Sequence, residues 1–230
     1  MPIPFTPVRN DDAFATVTLR RGERTITLVA VMHVGPKPYW QATQAELDAL
    51  EAGGAVIHSE GVGGQKQTTF RGWVRSGLMY GAVGAVSRSL RLICGWRAQK
   101  KALTYPKTWE THDLPVTTAL DRVSTPALLR TFVLTQLFSP LAAVFIRTGR
   151  MSLHDVNDSD ASLDIIDARN RHAIDEALAA DRDVALIWGA AHIPGMVDLL
   201  EQVGFTIADV AWRQFWPDGA QKRAGTLAAA

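Results

Sequence analysis

Two apolar runs that each end at a histidine constrain the fold of this chain more than any other feature. The first run, TITLVAVM, stops at His33 and is followed by VGP. The second, DVALIWGAA, stops at His192 and is followed by IPG. Each pattern predicts a buried strand that ends just before a helix. Because ligands in open α/β sheets bind where strands end, the two histidines are predicted to converge on one site.

The remaining periodicity predicts an α/β fold with a central, mostly parallel sheet and flanking helices. Two β-branched runs around the turn RGER predict a hairpin, and the strand-helix-strand order that follows predicts a βαβ unit with a right-handed crossover. The predicted strands are 14–20, 25–32, 55–59, 183–188 and 205–213, and the helices beside them are 38–52, 162–180 and 193–203.

The middle of the chain predicts a helical insert at about 65–150, between the N-terminal and C-terminal halves. Its predicted helices lie near 66–83, 84–101, 126–136 and 139–148, and 103–121 is irregular or holds one short strand. We therefore predict a single α/β domain over 1–230, with the insert over the strand ends as a lid or substrate groove. Residues 217–230 are predicted to form a flexible tail.

Composition excludes several classes of protein. The 24 basic and 23 acidic residues give a net charge of +1, so no nucleic-acid partner is expected. The basic residues of the insert recur at helical spacing, which favours a solvated helix face. Cys94 is the single cysteine and cannot form an internal disulfide; we interpret it as a small buried hydrophobe. The first residues, MPIPFTPVRNDD, lack a secretory signal, so we expect a cytoplasmic protein.

One uncharged stretch, TFVLTQLFSPLAAVFI at 131–146, bears on membrane contact. It has 16 residues and contains Pro140, whereas a spanning helix needs about 20 mostly apolar residues. We interpret it as a buried or groove-lining helix that is kinked or broken at Pro140. Weak membrane association through this stretch is the alternative.

Two charged residues fall where the predicted site lies. Glu60 follows the strand AVIHS, and His58 lies two residues earlier on the same face. A carboxylate there needs a pairing partner or a cation, although a helix cap or salt bridge would explain it equally. Arg169 lies on the inward stripe of the 162–180 helix and requires an anionic partner. That partner is a substrate or, as the alternative, a structural carboxylate.

Other residues leave two interpretations open. Tyr39, after the first strand-end motif, lines the pocket or packs in the core. His112 and Asp113 support the site from outside or form a turn. The run HDVNDSD at 154–160 does not match an EF-hand loop, and we interpret it as a solvated turn with a helix cap.

These residues together resemble the TraB/PrgY/GumN family, which is similar to the TIKI proteases and more distantly to erythromycin-esterase and ChaN-like proteins. The resemblance covers roughly 25–62 and 163–213. It rests on a Gly-x-x-His motif (GAAH, ending at His192), a similar strand-end histidine, the following Glu60, and an Arg-Asn pair at 169–170. The first motif reads AVMH, so Ala30 stands where the family has glycine.

The resemblance implies an α/β fold in which His33, Glu60, Arg169 and His192 surround one pocket. In the TIKI branch it implies metal-dependent peptide cleavage. Two imidazoles and a carboxylate are a common ligand set for a catalytic Mn, Co or Zn ion. Hence His33, Glu60 and His192 are the predicted metal ligands, with His58 as a further candidate.

The leading hypothesis is a metal-dependent hydrolase of peptide or related acyl bonds, acting on a peptide or small-molecule substrate. Arg169 and Tyr39 are predicted to bind that substrate. One alternative is a metal-free, esterase-like hydrolase in which a histidine is the base and Glu60 orients it. The other is a non-catalytic protein that binds a peptide or ligand. The sequence leaves the oligomeric state open.

Overall fold

A computed structural model of the chain describes residues 5–61, 69–114, 120, 123–153 and 163–216. The predicted tail at 217–230 and the HDVNDSD run at 154–160 lie outside the described residues. The strands are β1 (Ala13–Arg21), β2 (Arg24–Val31), β3 (Val34–Gly35), β4 (Val56–Ser59), β5 (Arg97–Ala98), β6 (Glu110–Thr111), β7 (Val184–Gly189) and β8 (Thr206–Gln214). The helices are α1 (Lys37–Ala52), α2 (Phe70–Cys94), α3 (Gln99–Ala102), α4 (Thr125–Arg147), α5 (Leu163–Ala179) and α6 (Ile193–Gln202).

Six strands form the central sheet in the order β6-β4-β7-β2-β1-β8. The four strands β6, β4, β7 and β2 run parallel, and β1 pairs antiparallel with both β2 and β8. The prediction of an α/β fold with a mostly parallel sheet is confirmed. Strand β7 lies between β2 and β4, so the C-terminal half of the chain completes a sheet that the N-terminal half begins.

The central strands are apolar on both faces because helices or loops cover both. Every residue of β7, VALIWG, is buried, as are the last six residues of β2. Continuous apolar runs of this kind are typical of parallel strands inside an α/β fold. Since parallel strands share one direction, the carboxyl ends of β2, β4, β7 and β6 all lie along one edge of the sheet.

The insert differs from its prediction in the number of helices. The two helices predicted near 66–83 and 84–101 are one helix, α2, which continues until Gly95 adopts a left-handed φ of 71°. The helices predicted at 126–136 and 139–148 are also one helix, α4, with Pro140 inside it. A single proline removes one backbone hydrogen bond, and α4 continues through that gap.

Helices α2 and α4 pack side by side and run in the same direction. Arg75 approaches Thr125 at one end of the pair, Ser89 approaches Ser139 further along, and Arg147 bonds the carbonyl of Ile93 at the other end. The region is not purely helical, because β5 pairs with β3, and β6 forms an edge of the central sheet. The insert therefore contributes to the α/β body as well as covering it.

Candidate functional site

The two strand-end histidines and Glu60 lie around one pocket at the carboxyl edge of the sheet. His33 follows β2, Glu60 follows β4, and His192 ends a short 3₁₀ turn after β7. Arg169 reaches the same pocket from α5. The cavity encloses about 260 Å³, and its walls are mainly apolar side chains, among them Phe14, Val31, Met32, Leu153 and Ile166.

Glu60 is the buried anion at the centre of the pocket, with 6% of its side chain exposed. Its Oε1 accepts a hydrogen bond from Nη2 of Arg169 at 2.6 Å, and its Oε2 accepts one from the backbone N–H of Gly189 at 2.8 Å. Nε2 of His33 lies 3.6 Å from Oε2, and Nε2 of His192 lies 3.8 Å from Oε1. Burial favours the neutral acid, but these positive and donor groups outweigh it and hold the pKa of Glu60 at about 2.

Arg169 connects three side chains of the site. Its Nε and Nη2 bond the two carboxylate oxygens of Asp113 at 2.9 and 2.7 Å, and Nη2 also bonds Glu60. Its Nη1 lies 3.1 Å from Nε2 of His192. Of the five guanidinium N–H groups, these contacts use four, so one N–H of Nη1 has no partner among the described residues. Arg169 points inward, and its anionic partners are carboxylates of this chain, as the alternative interpretation of the sequence held.

The hydrogen bonds of His192 define its tautomer. Arg169 can only donate, so Nε2 of His192 is the acceptor. Nδ1 therefore carries the proton and donates to Oδ1 of Asn170 at 2.7 Å. Burial, opposed in part by Glu60, lowers the pKa of His192 to about 4. His192 is thus a neutral imidazole whose two nitrogens are both engaged.

His33 has the opposite character, because no donor among the residues that the structure describes bonds its Nε2. Nδ1 lies 3.0 Å from Oε1 of Gln99, an acceptor, so Nδ1 carries the proton with the amide assigned this way round. Nε2 is then the basic nitrogen, and it faces Glu60. The side chain of His33 is 49% exposed, so solvent or a ligand reaches it.

Gly189 allows the close approach of these groups. A Cβ on this residue would lie 3.2 Å from Nε2 of His33, 3.4 Å from Oε2 of Glu60 and 3.6 Å from Cδ2 of His192. Its backbone also donates to Glu60. A side chain here would occupy the space in which the polar groups of the site meet.

The predicted metal ligands do not form an open coordination site in this arrangement. Glu60 and His192 both direct an acceptor atom at the guanidinium of Arg169. Of the three predicted ligands, only His33 has a nitrogen that no described donor contacts. A divalent cation bound by all three would have to displace the positive charge of Arg169. The metal prediction for these three residues stays a prediction, and their present contacts do not favour it.

Two further predicted residues lie elsewhere. Tyr39 is fully buried against Phe14 and Phe215, and its hydroxyl accepts a hydrogen bond from the N–H of Met32. It therefore packs in the core, as the alternative interpretation held, and does not line the pocket. The ring of His58 packs against His112 beside a second cavity. His58 precedes Glu60 by two residues, about 6.6 Å along a strand, and so lies too deep to join the site.

Three polar residues complete the site. Gln99 bonds His33 and Asp113 bonds Arg169, and both belong to the predicted insert. Asn170 bonds His192 from α5. Of the two interpretations of Asp113, support for the site and a turn, the first agrees with its hydrogen bonds to Arg169. Gln99 carries no sequence signal, because it lies 66 residues from its partner in a stretch without a motif.

No family model, no curated protein and no solved structure matches this chain. The TraB/PrgY/GumN resemblance therefore stays a prediction.

Proposed function

We propose that the protein is a hydrolase of ester or peptide bonds in which His33 is the general base. The observation that carries this proposal is the unequal environment of the two strand-end histidines. His192 is buried and bonded at both nitrogens, whereas His33 is half-exposed and its Nε2 lies at the pocket with no hydrogen bond to a described residue. A base needs a free lone pair within reach of the proton it removes.

In the proposed reaction a water molecule in the pocket attacks the carbonyl carbon of the substrate, and its proton passes to Nε2 of His33. Glu60, whose Oε2 lies 3.6 Å from that nitrogen, stabilises the positive charge that forms on the ring. Gln99 holds the proton on Nδ1, so the ring accepts at Nε2 and keeps its orientation. The imidazolium then returns its proton to the leaving group.

Arg169 is proposed to stabilise the oxyanion. Glu60 and Asp113 hold the guanidinium in place through three hydrogen bonds of 2.6 to 2.9 Å. The remaining N–H of Nη1 is available for a substrate oxygen. Donors that are fixed before the reaction stabilise developing charge without a reorganisation cost.

The apolar walls favour a substrate with an apolar acyl group or side chain next to the scissile bond. Phe14, Val31, Met32, Leu153 and Ile166 surround the polar groups. Such walls contribute binding energy through buried apolar area, about 25 cal/mol per Å². We therefore expect medium-chain acyl esters and peptides with aliphatic residues to be better substrates than charged ones.

The test is a substrate panel measured on wild type and His33→Asn. We expect p-nitrophenyl esters to be hydrolysed faster as the acyl chain lengthens from acetyl to hexanoyl, and blocked aliphatic peptides to compete. His33→Asn should keep the thermal midpoint and lose the activity. Saturable binding of these compounds without turnover would instead favour the non-catalytic binding protein.

The metal-dependent form of the same reaction is a separate outcome. In that form His33, Glu60 and His192 would hold Mn, Co or Zn after Arg169 had moved away. Activity that a chelator abolishes and one of these ions restores would favour it over the metal-free form.

We also propose that the protein contacts membranes through α4. This helix is long and apolar enough to cross a membrane by length and composition, with a mean hydropathy of 1.6, and only 17% of that apolar window is buried. Large apolar side chains on it face solvent, including Leu137 at 66% and Phe138 at 57% exposed. Arg130 and Arg147 flank the uncharged stretch, and each would be attracted to anionic lipid headgroups.

Flotation with phosphatidylcholine vesicles containing phosphatidylglycerol tests this contact. Wild type should float with the vesicles, and Leu137→Glu with Phe138→Glu should remain in solution. Val203→Glu, which changes an exposed apolar residue outside α4, is the control and should float. Equal flotation of all three proteins, or none, would contradict the proposal. The predicted cytoplasmic location stays a prediction.

A further inference from the structure

A second group of ionisable side chains lies at the β4–β6 edge of the sheet. His58 on β4 pairs in register with Glu110 on β6, and His112 follows that strand. The rings of His58 and His112 lie 4.3 Å apart between centroids. Nε2 of His58 is 3.6 Å from Oε2 of Glu110, and Nε2 of His112 is 2.8 Å from the same oxygen.

We propose that His58, Glu110 and His112 form a binding site for a divalent transition metal of the Zn²⁺ type, separate from the pocket at His33. One ligand atom from each residue lies within 4.8 Å of the other two. A tetrahedral zinc ion with ligands at about 2.05 Å places those ligands about 3.4 Å apart. The distances from the two histidine nitrogens to Oε2 of Glu110, 3.6 and 2.8 Å, bracket that spacing, and those nitrogens lie within 4.8 Å of each other.

The environment of His112 supports this assignment. Its Nδ1 lies 3.3 Å from Oε2 of Glu176, while its Nε2 faces Glu110. Metal-bound histidines usually donate their other N–H to a carboxylate, which orients the ring and raises its basicity. Glu176 lies two turns after Arg169 on α5, so the same helix supports both sites.

The burial of His58 points the same way. The residue is 2% exposed, and its Nδ1 has no hydrogen-bond partner within the described part of the chain. Its Nε2 is beyond hydrogen-bonding distance of Glu110. Nε2 is therefore the ring nitrogen that a metal ion beside Glu110 would bind, while Nδ1 would carry the ring proton. Glu110 is 55% exposed beside a cavity of about 460 Å³, so an ion and a water ligand have a path to the site.

The test is titration of the chelator-treated full chain with Zn²⁺ by calorimetry, and with Co²⁺ by visible absorption. We expect wild type to bind one Zn²⁺ at this site and to give the absorption bands of tetrahedral Co²⁺. His112→Asn and Glu110→Gln should remove this binding. Glu176→Gln, which leaves all three ligands in place, should weaken it by about 10-fold or more.

Matched variants keep the test independent of folding and of the proposed function. His112 and Glu110 are partly exposed, so their variants should fold even where His58→Asn does not. His33→Asn and His172→Asn should bind Zn²⁺ as wild type does. The proposal is overturned by the absence of Zn²⁺ binding in wild type, by unchanged binding in His112→Asn, or by loss of the same binding in His33→Asn. Because the readout is metal binding, failure of the hydrolase proposal would not alter it.

Discussion

Arg169 and Glu60 form an ion pair between α5 and the end of β4, with 2.6 Å between Nη2 and Oε1 and little exposure of either side chain. Asp113, 1% exposed, is the second anion on the same guanidinium. Two carboxylates and one guanidinium leave one negative charge in excess in this buried group. That charge would stabilise a proton gained by His33 during catalysis, so the pair has a role in the proposed reaction besides its role in packing.

Removing the guanidinium should destabilise the fold. Arg169→Met removes the guanidinium that both buried carboxylates share, and breaking a buried pair in this way costs about 3–5 kcal/mol. Urea unfolding followed by circular dichroism measures the loss. The double variant Arg169→Met with Asp113→Asn should recover part of it because one buried charge is gone. Equal stability of Arg169→Met and wild type would contradict the burial of this pair.

A methyl group at Gly189 should impair activity more than stability. The backbone of Gly189 has φ −54°, which alanine adopts readily, but the new Cβ would lie 3.2 Å from Nε2 of His33. Displacing a catalytic group by a fraction of an ångström to one ångström costs up to about 10²-fold in rate. Gly77→Ala is the control, since a Cβ there meets no described atom within 4 Å. The comparison requires kcat and the thermal midpoint of both variants, and normal kcat in Gly189→Ala would argue against a site at this point.

Stability should fall as the pH drops below 6.5, with His192 as one cause. Burial, only partly opposed by Glu60, lowers the folded-state pKa of His192 to about 4 from 6.5, so the fold favours the neutral ring. Its contribution is complete above pH 6.5 and is lost progressively as the pH falls from 6.5 through 4. Between pH 7.5 and 5 the loss amounts to about 2 kcal/mol. Chemical unfolding at both pH values should show a smaller change in His192→Asn than in wild type; an equal change would exclude His192 as the source.

Gln99 should act through the orientation of His33. Gln99→Leu removes the acceptor for Nδ1–H, so the ring is free to place its proton on either nitrogen. A general base accelerates a reaction by about 10²–10⁴-fold. We expect Gln99→Leu to lose part of this acceleration from kcat, with KM almost unchanged. Gln99→Glu restores an acceptor and should recover activity relative to Gln99→Leu. A change in KM alone would indicate that Gln99 contacts substrate instead.

Sequence patterns predicted the fold and the place of the main pocket residues, but not the hydrogen bonds between those residues. Apolar runs ending at His33 and His192 were enough to place both at one sheet edge, because parallel strands share a direction. Helical spacing was enough to turn Arg169 inward. Neither pattern predicts which ring nitrogen of His33 and His192 carries the proton. The position of that proton depends on Gln99 and Asn170, which only folding brings next to the histidines.

The expectations for His58, Tyr39 and the helices of the insert differ from the structure for physical reasons. His58 lies on β4, which Glu60 follows, but the adjacent edge strand β6 gives His58 other neighbours. The alternation of side chains along one strand does not predict which strand lies beside it. Tyr39 follows the first histidine motif closely, but aromatic packing against Phe14 and Phe215 turns it into the core. Helix α4 continues through Pro140 because one missing hydrogen bond costs less than ending an apolar helix that packs against α2.

The most direct test of the proposed reaction is kcat/KM for ester hydrolysis by chelator-treated protein, compared between wild type, His33→Asn and His172→Asn. His172 belongs to α5 and does not line the pocket. We predict that wild type and His172→Asn remain active without metal, and that His33→Asn loses about 10²–10⁴-fold. Full activity in His33→Asn, or wild-type activity that disappears on chelation, would contradict the assignment of His33 as a metal-free general base.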